Sequence, residues 1–281
     1  MLPTFTANRY VQPLREGGSL PAVVDTDDGG GLFVVKFRGA GQGAKVLVAE
    51  LVVGLLAQRL GLPVPELAIV DVPSRFGRSE PDPEIQDLLR ASHGVNVGMR
   101  YLDGAFNFNP KAAGDFIGPE LAADVVWFDA YVTNPDRTHR NPNLLVWERR
   151  PWLIDHGAAL YAQHDWASTD EARTRTPFPL VRDHVLLDRS GDLAEADARM
   201  TAALTDEVFD EVLRLVPDAL LTDVVGGDGG RAEFATADEA RDRYRAYLAT
   251  RLEGPRDFVA EAERAKERRR LEPPAPYSAR R

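Results

Sequence analysis

The sequence contains no cysteine, which excludes both a disulfide framework and any metal site built on thiolates. Its five histidines are scattered and lack the spacing of a zinc site. The longest apolar run, residues 46–56, is interrupted by Glu50 and is too short to cross a bilayer. The first residues also lack the basic and apolar segments of a signal peptide. We therefore expect a cytoplasmic protein without membrane insertion.

The sequence also has no excess of basic residues. Acidic residues outnumber them, and the formal net charge is −10 at pH 7. Nucleic-acid binding requires a basic patch or stripe, so direct nucleic-acid binding is not expected. The 281 residues, of which 44% are hydrophobic, suit one large globular domain or two lobes.

Two carboxylates flank a predicted β-hairpin in the middle of the chain. Asp136 precedes it in a polar loop that also contains Asn141 and Asn143, and Asp155 directly follows its second strand. This arrangement suits phosphoryl transfer. The first aspartate can orient a hydroxyl group or accept its proton, while a loop asparagine and the second aspartate can hold Mg²⁺ against the phosphates of ATP.

The spacing of these residues agrees with that of protein kinases. Asn141 lies five residues after Asp136, as the metal-binding asparagine of a kinase follows the catalytic aspartate. Asp155, His156 and Gly157 stand where a kinase has Asp-Phe-Gly. An ordinary hairpin with an Asx-turn at each end is the alternative interpretation of the same residues.

A lysine and a glutamate are each placed unfavourably in the N-terminal part of the chain. Lys36 lies in an apolar predicted strand, residues 32–37, and Glu50 interrupts the apolar surface of a predicted helix, residues 45–60. Either charge is costly there unless it finds a partner. A kinase pairs such a lysine with such a glutamate, so we predict an ion pair. A lysine on the solvent side of an edge strand is the alternative for Lys36 alone.

Gly17, Gly18 and Ser19 separate two predicted strands near the N-terminus. Glycines between strands allow backbone N–H groups to approach an anion, which suits a loop that covers the phosphates of a nucleotide. A plain hairpin turn explains the same residues, because neither G-x-G-x-x-G nor a Walker A pattern is present.

Most of the remaining chain is predicted to be helical. A helix over residues 119–132 carries Asp129 among apolar residues, where it either supports the following loop or lies on the surface. The polar residues 73–91 are predicted to form an insertion or a mobile loop. Further helices are predicted over residues 201–215, 218–225, 237–252 and 255–270.

The Val-Val-Lys strand resembles the Val-Ala-Ile-Lys strand of protein kinases. The segment from Asp136 to Gly157, the short Gly-Ser loop at residues 17–19 and the Gly-Leu-Pro-Val-Pro sequence after the first helix resemble HipA-like kinases. These are bacterial enzymes whose atypical fold is shared with phosphatidylinositol 3-/4-kinases. The resemblance implies an α+β, two-lobed, protein-kinase-like fold. A small β-rich N-lobe would span residues 1–100, a mainly helical C-lobe residues 101–254, and a charged C-terminal helix and tail residues 255–281.

The resemblance also implies the activity and its cofactors. The chain would use ATP and Mg²⁺ to transfer the γ-phosphate to a hydroxyl group, most simply of a protein serine or threonine. A small-molecule phosphotransferase of the same fold is one alternative, and a nucleotide-binding pseudokinase or partner-binding protein is another. An antitoxin-like partner would be a separate chain and cannot be inferred from this sequence.

The resemblance further implies roles for individual residues. Asp136, Lys36, Glu50 and Arg137 would form the catalytic set, in which Arg137 either contacts phosphate or braces the loop. Nucleotide binding would involve four residues near the N-terminus, Gly17, Gly18, Ser19 and Lys36. Mg²⁺ would be held by Asp155 together with Asn141, which the spacing favours, or Asn143, which directly precedes the strand.

Two residues depart from the patterns of related kinases. Thr138 stands where the phosphatidylinositol kinases have histidine, and His139 is next to it. His156 replaces the phenylalanine of Asp-Phe-Gly. If Asn143 rather than Asn141 is the metal ligand, the loop carries a two-residue insertion.

Overall fold

The computed structural model of the chain describes residues 1–14, 20–27, 29–41, 43–78, 80–110, 116–223 and 233–271. The predicted phosphate loop at Gly17, Gly18 and Ser19 lies outside these residues, as does the C-terminal tail, residues 272–281.

The N-terminal part of the described chain forms a closed barrel with the strand order β1-β2-β3-β5-β4. The strands are β1 (Thr4–Pro13), β2 (Ala22–Thr26), β3 (Gly31–Lys36), β4 (Leu67–Val72) and β5 (Gly94–Arg100). Neighbouring strands are antiparallel except β1 and β4, which are parallel. Strand β3 pairs on both sides, with β2 and β5, so Lys36 is not on an edge strand.

Helix α1 (Ala44–Arg59) connects the barrel to the rest of the molecule. Most of its residues are buried, as expected of a helix that is apolar on all sides. Its side chains belong to the same hydrophobic core as Trp127 and Phe209 in the C-terminal half of the chain. Glu50 is thereby placed in a buried environment, with an exposed side-chain fraction of 2%.

The prediction of a loop over residues 73–91 was wrong for its second half, which forms helix α2 (Pro83–Ala91). The Asp82 carboxylate caps it by accepting a hydrogen bond of 2.9 Å from the N–H of Glu84. Leu89 is fully buried in the core of the barrel. The helix is short, and its polar outer face dominates the composition of the segment, which is why the sequence suggested a loop.

A three-stranded sheet and helix α3 (Pro119–Tyr131) follow the barrel. The sheet has the order β6-β7-β8, from β6 (Phe106–Asn107), β7 (Leu144–Trp147) and β8 (Arg150–Leu153). Strands β7 and β8 form the predicted hairpin. Its two-residue turn, Glu148 and Arg149, has positive φ angles, as in the turns that match strand twist.

Six further helices form the C-terminal part of the described chain. They are α4 (Glu171–Thr174), α5 (Leu193–Ala203), α6 (Asp206–Arg214), α7 (Asp218–Leu221), α8 (Ala237–Leu252) and α9 (Asp257–Leu271). Helix α8 has the predicted bounds, and α9 begins two residues later than predicted.

The prediction of one helix over residues 201–215 was wrong. Helix α5 ends at Ala203 and a new helix, α6, begins at Asp206. Thr205 caps α6 by accepting a hydrogen bond from the N–H of Val208. A capping threonine was the overlooked signal. No helix in the described ranges is long and apolar enough to span a membrane.

Candidate active site

Three charged side chains from distant parts of the chain meet between the barrel and the hairpin. The Lys36 ammonium, at the end of β3, lies 2.6 Å from Glu50 Oε2 on α1 and 2.5 Å from Asp155 Oδ1 after β8. Lys36 and Asp155 are 119 residues apart in the sequence. The predicted Lys36–Glu50 pair is present, and the hairpin brings Asp155 to the same ammonium group.

Burial and the neighbouring charges act in opposite directions on these three groups. Burial alone would lower the pKa of the Lys36 ammonium, but the two neighbouring carboxylates raise it above its usual value. Burial alone would raise the pKa of the Asp155 carboxyl, but the Lys36 charge holds it below its ordinary value. Burial raises the pKa of the Glu50 carboxyl, and the Lys36 charge opposes this effect only in part. The charged forms of Lys36 and Asp155 therefore stabilise each other, whereas Glu50 is the group whose charge burial opposes most.

Backbone contacts tie Asp155, His156 and Gly157 to helix α1. The N–H of His156 donates a hydrogen bond of 2.8 Å to Glu50 Oε2, the atom that also binds Lys36. A Cβ atom on Gly157 would lie 2.5 Å from Val46 Cγ1, so a larger residue would have to displace Val46 or move the chain away from α1. Asp155 has a φ angle of 56°, which aspartate tolerates better than most residues.

Asp136 lies in the Asp136 loop, residues 133–143, where two amide groups converge on it. Asn141 Nδ2 donates to Asp136 Oδ2 at 2.8 Å, and Asn143 Nδ2 donates to the same oxygen at 3.0 Å. Within the described part of the chain, Asp136 Oδ1 receives no hydrogen bond. The carboxylate is half-buried and oriented by two donors, with one oxygen available for another group.

Asn141 and Asn143 differ in their surroundings. Asn141 is exposed, whereas Asn143 is 7% exposed and adopts a φ angle of 48°. The carbonyl of Asn143 accepts a hydrogen bond from the N–H of Ile154 at 3.1 Å, which extends the ladder of the hairpin. Asn143 is therefore opposite the residue that precedes Asp155.

Arg137 lies next to Asp136 but is directed into the core. Its Nε donates to Asp129 Oδ2 at 2.6 Å, and its terminal amines contact the carbonyl of Asn143 and the imidazole of His156. Neither side chain of the Arg137–Asp129 pair is exposed. Of the two roles considered for Arg137, these contacts support bracing of the loop.

Asp129 organises the loop from helix α3. Besides Arg137 it accepts hydrogen bonds from Asn134 Nδ2 at 3.0 Å and from His184 Nε2 at 2.9 Å. Burial would raise the pKa of the Asp129 carboxyl, but Arg137 and His184 lower it well below its usual range. Asp129 thus joins three segments of the chain behind Asp136.

Two buried histidines of this region are neutral. The ring Nδ1 of His184 accepts a hydrogen bond of 3.0 Å from the N–H of Leu186, which requires an unprotonated nitrogen. Burial lowers the pKa of His184 despite the nearby Asp129. Burial and the Arg137 charge lower the pKa of His156 to about 3. Its Nε2 is buried and has no partner among the described residues.

We expect His156 to make the protein acid-sensitive. Between about pH 3 and the unfolded pKa of about 6.5, the unfolded state binds a proton that the folded state excludes. The free energy of unfolding therefore falls as the pH falls below about 6.5, by roughly 2 kcal/mol at pH 5. The His156→Phe variant lacks this pH-dependent loss. Its free energy of unfolding, relative to that of the wild type, is therefore expected to be higher at pH 5 than at pH 7.5.

Denaturant unfolding at both pH values measures this difference, and the pH 7.5 comparison removes the effect of the new ring on packing. An equal difference between the two proteins at pH 7.5 and pH 5 would contradict the neutral, buried state of His156.

Asn134 and His184 belong to the site although the sequence contains no local signal for either of them. Asn134 lies two residues before Asp136, and its Oδ1 accepts a hydrogen bond of 3.2 Å from the N–H of Asp136. Thr138, at the position of the lipid-kinase histidine, pairs with His184 in an isolated antiparallel bridge. Only Asp129, an acid on an apolar helix, could have indicated this network.

Comparisons with known proteins place the chain among kinases. A family model described as HipA-like kinase matches residues 9–223. The crystal structure of the Helicobacter pylori proinflammatory kinase CtkA is similar, with a TM-score of 0.53 and 13% sequence identity, over 95% of this chain and 99% of that chain. At this identity the likeness shows a shared fold. No curated protein matches the sequence.

Proposed function

The chain belongs to the HipA-like kinase family, and on that premise we propose that this phosphotransferase moves the γ-phosphate of ATP, with Mg²⁺, to a protein serine or threonine. The proposal rests chiefly on one observation: Lys36 contacts both Glu50 and Asp155. A kinase needs this lysine–glutamate pair and the aspartate after the hairpin in one place to position the phosphates.

The proposed architecture has two lobes with the nucleotide between them. The barrel and α1 would form an N-lobe within residues 1–100, residues 101–254 a C-lobe, and residues 255–281 a C-terminal helix and tail. Helix α9, however, is not separate from the rest of the structure, because Phe258, Ala262 and Ala265 are buried in the main hydrophobic core. We propose that this helix is an integral part of the C-lobe.

The residues present suit a magnesium ion bound together with nucleotide. The described residues contain no cluster of three or more histidines or carboxylates able to hold a metal by themselves. Mg²⁺ in kinases is held by few protein oxygens and by the phosphates. Asp155 has a side chain that is 43% exposed and a carboxyl group whose pKa Lys36 holds below its ordinary value against the effect of burial, which suits one such ligand. When bound, the ion would neutralise charge that develops on the phosphates.

We propose Asn143 as the second protein ligand, in place of Asn141, which the spacing favours. Asn143 is opposite Ile154, the residue that precedes Asp155, whereas Asn141 is exposed and lies two residues earlier in the loop. The amide nitrogens of both face Asp136. Each side-chain oxygen is thereby left free for a metal ion, and the position of Asn143 in the hairpin favours its oxygen as the ligand.

Each remaining residue has a role in the transfer itself. Lys36, held by Glu50, would contact the α- and β-phosphates. Asp136 would accept a hydrogen bond from the acceptor hydroxyl through Oδ1 and take its proton as the hydroxyl oxygen bonds to the γ-phosphorus and ADP leaves. Arg137 would keep the loop in place. The loop at Gly17, Gly18 and Ser19 would cover the phosphates.

Exposed apolar side chains support a protein as the acceptor. The post-glycine segment, residues 158–191, follows Gly157 and contains four short 3₁₀ helices and helix α4. Tyr161 and Leu180 on this segment are 64% and 48% exposed. Kinases dock protein substrates on the equivalent segment, and exposed apolar side chains there suit a peptide better than a small polar molecule.

The proposal predicts that ATP stabilises the protein only when Mg²⁺ is present. A ligand that binds the native state raises the melting temperature, here by about 5–10 °C near 100 times Kd. Asp155→Ala is expected to abolish the Mg²⁺-dependent part of this shift. Thermal unfolding with ATP, with and without Mg²⁺, is the measurement, and Asp183→Ala is the control because this acid is 60% exposed on the post-glycine segment.

The two asparagines are compared in the same experiment. Asn143→Gly removes the amide while permitting the positive φ angle, and Asn141→Ala removes the other amide. We expect the Mg²⁺-dependent shift to be lost in Asn143→Gly and kept in Asn141→Ala. No shift in the wild type at millimolar ATP would disprove the nucleotide site itself.

A further inference from the structure

Helix α8 lies beyond the residues that the family model matches, yet it contacts both segments around the site. Tyr244 donates from its hydroxyl to Gln163 Oε1 at 2.8 Å, and the hydroxyl of Tyr247 lies 3.4 Å from Thr133 Oγ1. Residues 244, 247 and 251 are on one face of a helix, because they are separated by three and four positions. This face is therefore directed at the Asp136 loop and the post-glycine segment.

Arg251, at the end of this face, makes an unusual set of contacts. Its guanidinium donates to the carbonyls of Tyr131 at 2.6 Å and Ala130 at 2.9 Å, the last two residues of α3. It also donates to the carbonyls of Thr174 at 2.6 Å and Thr176 at 3.2 Å, at the end of α4 and just beyond it. One side chain thus joins the helix that leads into the Asp136 loop to the post-glycine segment.

The charge of Arg251 is buried without a carboxylate partner among the described residues. Its exposed fraction is 2%, and burial lowers the pKa of the guanidinium below its usual value. Arginine nevertheless stays charged in proteins. The compensation comes from carbonyls at the C-terminal ends of helices, which carry partial negative charge and have no partner within their own helix.

An apolar side chain could fill the same space without the cost of burying a charge. What arginine adds is geometry, because its planar group presents five donors in fixed directions. Here those donors hold two carbonyls on each of two separate segments. The rings of Tyr247 and Phe258 limit the movement of the guanidinium, at 6.0 and 5.2 Å from its central carbon.

We propose that Arg251 is a positioning residue of the phosphotransfer site: it holds the start of the Asp136 loop and the post-glycine segment in one fixed relation. This inference rests on the proposed role of Asp136. Arg251 is remote in sequence from Lys36, Glu50 and Asp155, and none of these three contacts it. Arg251 therefore positions Asp136 and the segment proposed to bind the acceptor, and it does not affect nucleotide binding.

Arg251→Lys tests the proposal, because lysine keeps the charge but offers one ammonium group, which cannot reach carbonyls on both segments in the same geometry. We expect kcat to fall by about 10- to 100-fold, since a small misplacement of reacting groups has effects of this size. KM for ATP and the Mg²⁺-dependent thermal shift are expected to stay within about twofold of wild type. Arg245→Lys is the control, because Arg245 is on α8 but pairs with Asp210 at 2.7 Å.

The assay follows ADP release from Mg²⁺-ATP with casein as a generic protein acceptor, below the melting temperature of every variant. Hydrogen exchange provides a second readout, which does not depend on turnover. We expect faster exchange in Arg251→Lys confined to residues 130–136 and 174–176. Tyr247→Phe, which keeps the packing and removes only the hydroxyl beside Thr133, replaces Arg251→Lys if that variant does not fold.

Three outcomes would overturn the proposal: unchanged kcat with unchanged exchange, a loss of kcat equal to the loss of nucleotide-binding stoichiometry, or exchange that rises over the whole chain. Absence of ATP binding by the wild type is a different result. It would disprove the proposed function, while the exchange data would still decide whether Arg251 joins the two segments.

Discussion

Asp136→Asn is expected to lower kcat by about 10³-fold while the Mg²⁺-dependent stabilisation by ATP stays close to that of the wild type. The Asp136 carboxylate is oriented by Asn141 and Asn143, which both donate to Oδ2. Its second oxygen is available to a hydroxyl group. An amide in its place has neither the charge nor the basicity to take the proton, but it leaves Lys36 and Asp155 unchanged.

ADP release from Mg²⁺-ATP in the presence of a protein acceptor measures this effect, and thermal unfolding with ATP shows that the nucleotide still binds. Glu148→Gln is a suitable control, because it removes one negative charge at the exposed turn of the same hairpin. Near-normal turnover by Asp136→Asn would remove this residue from the catalytic set.

The second large effect concerns stability. Asp129→Asn keeps the shape of the side chain but leaves the guanidinium of Arg137, which is fully buried, without its carboxylate. Removing one partner of a buried ion pair costs about 3–5 kcal/mol. For a chain of this size that corresponds to a melting temperature lower by roughly 6–15 °C.

A double variant separates the cost of an unpaired charge from the value of the pair. Asp129→Leu with Arg137→Met replaces both charges with apolar groups, and it is expected to recover much of the lost stability. Its activity is expected to stay low, because Arg137 also holds the carbonyl of Asn143. A melting temperature of Asp129→Asn within 2 °C of the wild type would show that the buried pair has little influence.

Local signals in the sequence identified the parts of the site that depend on short stretches of chain. The hairpin between Asp136 and Asp155 was predictable because strands, turn and polar ends follow one another within about twenty residues. Lys36 and Glu50 were predictable as a pair because each is costly alone and the other is the simplest partner. The capped helices α2 and α6 show the opposite case. Their caps were present, but a polar face and a continuous helical pattern outweighed them.

The sequence by itself therefore determined the family, the kinase activity and the order of the charged residues along the chain, because these depend on motifs and on the spacing of neighbours. Only the tertiary structure decided what Arg137 contacts, and it alone revealed His184 and Arg251. Their partners lie on other helices and are mostly backbone carbonyls or a buried acid. A carbonyl has no sequence signature, and the burial that makes such contacts strong arises only when distant segments pack together.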